Sequence, residues 1–352
     1  MKLDFKTIYV ENSNYSSSEQ ARLNSILAKW PDAAVKKVAS HWKIPDLVDT
    51  DPVDWIKAKK HILVLGKLKL LENQVNGRSS DFIAPSHSNG CLSACQYCYV
   101  ARRKGGGNPL TVFLNTEKIA QSIVDHCNEL GPKMEPNQCD PHYWTYDIGN
   151  NNDVSLDAMV SDNPLILMDA IKSTEYGKLT FATKTVNLDP FLSFDPKGQT
   201  RIRYSLMPQQ VSKYVDIRTS PILDRILAMN ELVDAGYEVH ANFSPIIMYG
   251  EKQWKKDWVE LWNLMDEKLS PKAKKQMKAE VIFLTHSSDL HDINMQWNPK
   301  GEEYLWTPDI QQTKANKSDV ICYKYGFKGE NVKAFCSGIK KFIPWCEVRY
   351  AF

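Results

Sequence analysis

From Leu110 to Thr285 short β-like runs alternate with amphipathic helical ones, a pattern that few architectures accommodate. The run LTVFLN (Leu110 to Asn115) reads as a strand ending at a helix cap. From Thr116 apolar residues recur at Ile119, Ile123, Val124, Cys127 and Leu130, one face of a helix that Gly131 closes. Further strands read at YWTYDI (Tyr143 to Ile148), KLTFAT (Lys178 to Thr183), RIRYSL (Arg201 to Leu206), EVHANF (Glu238 to Phe243) and VIFLT (Val281 to Thr285). Helices fall between them, from about Pro164 to Ser173, from about Ile222 to Ala235 and onward from about Lys252. Strands spaced by helices pair in parallel, so the expected fold class is α/β, a sheet of βα units closed or partly closed. The stretch 1–60 is polar and mixed, with one helix from Ser18 to Ala28, and is expected as an N-terminal cap. Residues 61–288 carry the alternation, and 289–352 form an aromatic- and lysine-rich extension expected to cover or complete the sheet.

The composition, 43% hydrophobic and 24% charged over 352 residues, excludes collagen-like, coiled-coil and disordered classes. No window of about 18 apolar residues occurs, and MKLDFKTIYVEN has neither an apolar core nor a small-residue cleavage site. The expectation is a cytoplasmic protein with no membrane partner. Forty-four Lys plus Arg against 42 Asp plus Glu leave a formal charge of +2, so any nucleic-acid surface has to be local.

Eight cysteines are too sparse for a disulfide scaffold, and three of them, Cys91, Cys95 and Cys98, fall in the segment GCLSACQYCYV. Structural zinc closes four ligands and usually brings paired C-x2-C units, so three thiols fit it poorly, although His87 could serve as a fourth. Ferredoxin-type clusters likewise spend four cysteines. Three thiolates leave one iron of a cubane 4Fe-4S cluster without a protein ligand, and an open metal position is where a small molecule binds and is activated.

With an aromatic residue before the last cysteine, C-x3-C-x2-C at the head of a series of βα units resembles the signature of radical S-adenosylmethionine enzymes. Around it, EYGKLTFATK, RIRYSL, TSPILDRI, AGYEV and SPI follow in the order and spacing of the spore photoproduct lyase family, from about His61 to Thr285. The resemblance implies a partial (β/α)6 barrel, a 4Fe-4S cluster on the three cysteines, S-adenosyl-L-methionine as cofactor and a reductant such as flavodoxin or ferredoxin. It implies that a substrate hydrogen is abstracted by a 5′-deoxyadenosyl radical and that the substrate is a thymine lesion or another nucleic-acid base. Lys184 and Ser205 would contact the carboxylate end of the cofactor, and Tyr97 and Tyr99 match the two motif tyrosines. One departure stands out. The family's DNA lyase carries a hydrogen-donating cysteine after its second barrel strand, where this chain has YDIGNNND and the matching residue is Asn150. An amide N–H bond is far too strong to give a hydrogen atom to a carbon radical, whereas a thiol S–H is weak enough.

Other residues are candidates on their own chemistry. Asp147, Asn150, Asn151, Asn152 and Asp153 form a polar run where a barrel strand ends, either a pocket or an Asx-rich turn. Arg201 and Arg203 alternate about Ile202 and so share a face; if that face is the lumen, the cofactor carboxylate or a charged substrate is their partner. His240 and His286 read as barrel acids or bases, or as core histidines. Arg102, Arg103 and Lys104 make a basic loop beside the cysteines, and VICYKYGFKGENV resembles the family's DNA-wedging hairpin. Two rival readings stay open: radical C–H modification of a peptide or small metabolite, and a non-catalytic nucleic-acid-binding protein with a structural iron–sulfur centre.

Overall fold

The computed structural model describes residues 3–48, 50–102, 109–315, 317 and 319–352. The basic loop expected after the cysteines falls largely outside them. The chain divides into two compact units, Met1–Ala94 with Tyr99–Arg201, and Cys95–Cys98 with Ile202–Phe352.

In the first unit the strands Ala34–Val38, Thr7–Glu11, Ile62–Gly66 and Leu110–Phe113 pair in parallel, and Ser88–Asn89 adds an antiparallel edge. Ile8, Val10, Leu63, Leu65, Leu110 and Val112 leave no surface exposed, as expected for strands at the centre of a parallel sheet. The stretch expected as a cap therefore contributes two strands to a parallel sheet. A second set pairs Gly177–Thr183 with Trp144–Asp147 in parallel and continues to Phe82–Ile83. The helix Thr116–Leu130 buries Ile119, Ile123, Val124 and Cys127, and ends at Gly131, whose φ of 64° only glycine adopts without strain.

In the second unit Glu238–Ile246 pairs in parallel with Lys278–Phe283, and the latter in parallel with Glu347–Ala351. Helices Ile222–Asp234 and Gln253–Lys268 follow the helical periodicity of the sequence. The short helix Pro271–Gln276 is capped by the Ser270 hydroxyl, which accepts from the Ala273 N–H, and has proline in its first turn. The segment VICYKYGFKGENV is not itself a hairpin. Val320–Tyr323 is the returning strand of a hairpin whose outgoing strand is Gln311–Thr313, and Tyr325–Phe342 is helix. Phe327 to Val332 continue into apolar positions at Phe335 and Ile339, a helical spacing that prevails over the local aromatic alternation. Among the described residues no helix is long and apolar enough to cross a membrane.

Candidate active site

The cysteine segment is held mainly by its backbone. In the first unit Lys59, with no exposed surface, donates from Nζ to the carbonyls of Cys91 at 2.8 Å and Ser93 at 2.6 Å. The Ser93 N–H points at Cys91 Sγ at 3.4 Å, the kind of N–H···S contact that stabilises a thiolate ligand. In the second unit the Cys98 N–H closes a turn onto the Cys95 carbonyl at 3.1 Å. Gln96 between them is fully buried, and four contacts fix it. Its N–H donates to Val215 O at 2.9 Å, its carbonyl accepts from Asn294 Nδ2 at 3.0 Å, and its amide exchanges hydrogen bonds with Asn298 at 2.9 and 3.1 Å. Gly301 leaves room for that amide, since a Cβ there would lie 1.5 Å from Gln96 Oε1. None of Cys91, Cys95 and Cys98 is in a disulfide, and Cys95 is buried while the others are partly exposed. Three thiols outside any disulfide on a backbone-anchored loop fit a cubane cluster, whereas His87, the fourth ligand zinc would need, is buried against Asp157 at 3.3 Å.

Tyr97 also belongs to the second unit. Its hydroxyl donates to Asp216 Oδ1, and Asp216 Oδ2 takes Arg225 Nη1 and Nη2 at 3.3 Å each. Arg225 is fully buried; it donates to Ser205 O at 2.7 Å, Ser220 O at 2.8 Å and Thr219 Oγ1 at 2.6 Å. One buried guanidinium thus ties the motif tyrosine to the backbone of Ser205, whose own hydroxyl accepts from Asn242 Nδ2 at 3.3 Å. Neither Asp216 nor Arg225 figured among the sequence candidates. The signal for Arg225 was an arginine on the apolar face of its helix, between Ile222 and Ile226.

In the first unit the structure brings together two of the expected residues. The hydroxyl of Tyr99, itself more than half exposed, donates to the Asn150 carbonyl at 3.2 Å. The polar run around Asn150 makes Asx-type turn and cap contacts. Asp147 Oδ1 caps the Gly149 N–H at 2.8 Å, and Asn152 donates to Ser88 Oγ at 2.6 Å. Asp153 accepts from Leu156 N at 3.2 Å, Thr183 Oγ1 at 2.6 Å, Lys184 N at 3.0 Å and Thr185 Oγ1 at 3.2 Å. Complete burial pushes the Asp153 carboxyl above its ordinary pKa despite those donors, and Asp157 adds to the rise. Asp153 therefore fixes the backbone from which Lys184 projects.

Arg201 and Arg203 are engaged elsewhere. Arg201 is the second residue of the strand Thr200–Leu206, at its amino end, away from the carboxyl ends where barrel sites form. It donates to Cys139 O and Asp140 Oδ2, both at 2.6 Å. Arg203 pairs with Glu280 at 3.0 Å, and Arg349 reaches the same carboxylate at 2.9 Å. Burial raises the Glu280 pKa, but the two guanidinium charges more than offset it and hold the group below the usual range. These arginines neutralise buried acids rather than waiting for a cofactor. His240 is buried beside Glu238, at 3.0 Å. Cys139 lies before the strand Trp144–Asp147, with Sγ directed to Arg78 O at 3.4 Å.

The family model described as spore photoproduct lyase matches residues 4–351. Spore photoproduct lyase of Bacillus subtilis (strain 168) is 23% identical over 248 residues, 70% of this chain and 69% of that protein. The one from Geobacillus sp. (strain Y412MC61) is 22% identical over 320 residues, 90% and 89% of the two chains. A solved spore photoproduct lyase complexed with dinucleoside spore photoproduct superposes with a TM-score of 0.84 at 20% identity over 99% of each chain. A doubly substituted form with bound AdoMet and dinucleoside spore photoproduct gives 0.85 at 20% identity over 100% of each. These likenesses show the fold, the α/β partial barrel expected from the sequence. With its model matched along almost the whole length, the chain belongs to the spore photoproduct lyase family.

Proposed function

We propose that this chain is a radical S-adenosylmethionine lyase acting on a thymine lesion in nucleic acid, with Cys91, Cys95 and Cys98 as the ligands of a 4Fe-4S cluster. The observation that carries the reading is the C-x3-C-x2-C loop, free of disulfides and anchored by its backbone, in a member of this family. Cys91, Cys95 and Cys98 would hold the cluster, which would supply the one-electron reduction that opens radical chemistry on S-adenosylmethionine. The chain's own residues do the rest. Lys59 holds the carbonyls of Cys91 and Ser93, and Asn294 holds that of Gln96, so the backbone beside the ligands is ordered within each unit, which lowers the ordering cost of assembly. Lys184 and Ser205, on backbones fixed by Asp153 and Arg225, are the candidates for the cofactor's methionine end. The buried aliphatic and aromatic side chains of the parallel strands exclude water and stray hydrogen donors. Flavodoxin or ferredoxin is the class of reductant this chemistry requires. The hairpin Gln311–Thr313 to Val320–Tyr323, with exposed Lys314 and Lys317 in its connection, is the candidate DNA contact.

Asn150 favours one second reading, a related radical reaction on a different substrate, because that position has no weak X–H bond to quench a product radical. The test separates the two. After anaerobic reconstitution, reductant and S-adenosylmethionine should release 5′-deoxyadenosine, and dinucleoside spore photoproduct should return to thymine. Failure to form 5′-deoxyadenosine rejects the chemistry; an intact dimer after many cofactor turnovers rejects the substrate alone.

A further inference from the structure

The helices that clamp Gln96 carry a second set of metal-ligating side chains, with no cysteine in it. His286 lies in the strand Thr285–Ser287, His291 in the helix Ser288–Trp297 and Glu302 in the helix Pro299–Leu305. Glu302 Oε2 is 3.1 Å from His286 Nε2 and 2.7 Å from His291 Nδ1. The three ligand atoms all lie within 4.8 Å of one another. Both imidazoles are oriented by Trp306, which stacks on His291 at 4.0 Å and 17° and stands edge-on to His286. The second carboxylate oxygen, Oε1, accepts from Asn294 Nδ2, the same amide nitrogen that donates to Gln96 O.

The distances, which are those of hydrogen bonds in the metal-free chain, also suit ligation of one ion. A six-coordinate ion with bonds of about 2.1 Å needs adjacent ligand atoms about 3 Å apart, the bond length times √2, and two imidazoles with one carboxylate on one side of an ion are a recurrent transition-metal arrangement. The two measured separations lie on either side of that value. Charge argues the same way. Glu302 is almost fully buried, and with both imidazoles neutral, as ligation requires, the set holds one negative charge away from water, which a divalent cation would neutralise. His291, with 21% of its side chain exposed, gives the ion a way in.

We propose that His286, His291 and Glu302 bind one divalent transition-metal ion, with water in its remaining positions, and that Asn294, hydrogen-bonded to the far oxygen of Glu302, transmits the resulting rigidity to Gln96 between Cys95 and Cys98. Asn294 is then a carboxylate-orienting partner of the ligand as well as a clamp on the loop. This site does not depend on the cofactor chemistry proposed above and can be tested without turnover.

The experiment is Co2+ binding to the full-length, cluster-reconstituted chain under anaerobic conditions, read by cobalt-edge X-ray absorption. One equivalent of cobalt is expected, with nitrogen and oxygen scatterers at about 2.1 Å and no sulfur at about 2.3 Å. Binding should weaken at least tenfold in His291→Ala, a partly exposed position, and in Glu302→Gln, with circular dichroism reporting that each variant is folded. Amide hydrogen exchange over residues 95–98 should slow on adding Co2+ to the parent chain and not to His291→Ala. A folded parent chain that takes up no cobalt, a sulfur-only shell, or nitrogen- and oxygen-bound cobalt retained by both variants would overturn the site. Cobalt bound there without slower exchange would overturn the coupling to Gln96.

Discussion

Replacing Lys59 with methionine keeps a flexible stem of similar length and removes the ammonium that donates to Cys91 O and Ser93 O. Both carbonyls lose a charge-assisted hydrogen bond in a site with no exposed lysine surface. A buried acceptor left without its donor costs about 1–3 kcal/mol, so two give about 2–6 kcal/mol. Part of this is returned because the folded chain no longer desolvates an ammonium, leaving a net loss of about 2–3 kcal/mol. For a unit of this size each kcal/mol lowers the melting temperature by about 2–4 °C, which puts the expected drop at about 4–12 °C. Calorimetry on the metal-free chain reads the stability term, and iron per chain after anaerobic reconstitution reads the loop. Both should fall together in Lys59→Met. A variant that melts within about 2 °C of the parent and loads the same iron would refute the claim that this lysine shapes the cysteine segment.

Three further outcomes follow from the same geometry. Asp216→Asn removes one partner of the buried Arg225 pair and loosens Tyr97; a loss of about 3–5 kcal/mol is expected in urea unfolding, and a change under about 1 kcal/mol would contradict it. Asn150→Cys puts a weak S–H bond on the residue whose carbonyl accepts from the Tyr99 hydroxyl, so the share of lesion turnovers ending in repaired thymine should rise, and an unchanged product distribution counts against position 150 facing the radical. Asp140 is pushed up by burial, but the Lys178 charge and the His142 and Tyr143 N–H groups more than offset this and hold it below the ordinary 3.8. Its stabilisation is present above that value and fades as pH falls through the depressed one. The stability gap between the parent chain and Asp140→Asn should therefore stay level near neutrality and close below about pH 4; a gap that widens on acidification would speak against it.

The elements legible in the sequence were those whose pattern is local. Thr116–Leu130 carries apolar residues on one helical face and a glycine stop, and Lys178 to Thr183 is an apolar run bounded by turns. Ala34–Val38 escaped notice because it is an edge strand with two lysines and a largely exposed face, and Thr7–Glu11 because five residues are too few to show a period. The site divides in the same way. The cysteine spacing and the tyrosines around Cys98 are contiguous and could be read directly. Lys59, Asp216, Asn294 and Asn298 act on groups 32 to 202 positions away, and no local pattern marks such a partner. The arginines misled for a related reason: alternation places Arg201 and Arg203 on one face, but only tertiary structure reveals that Asp140 and Glu280 already occupy it.

The anchoring of Gln96 sets a timetable for the nascent chain. Its carbonyl and its side-chain amide wait for Asn294 and Asn298, 198 and 202 positions downstream. At about 5–20 residues per second, a ribosome needs roughly 10–40 s to supply them after Gln96 emerges. For that interval the peptide between the thiols at 95 and 98 lacks these two partners, and only the Val215 carbonyl, 119 positions on, can hold it earlier. Iron delivery is thereby coupled to synthesis of the segment carrying Asn294 and Asn298, and truncation before residue 294 would leave the Gln96 carbonyl and side-chain amide without their partners.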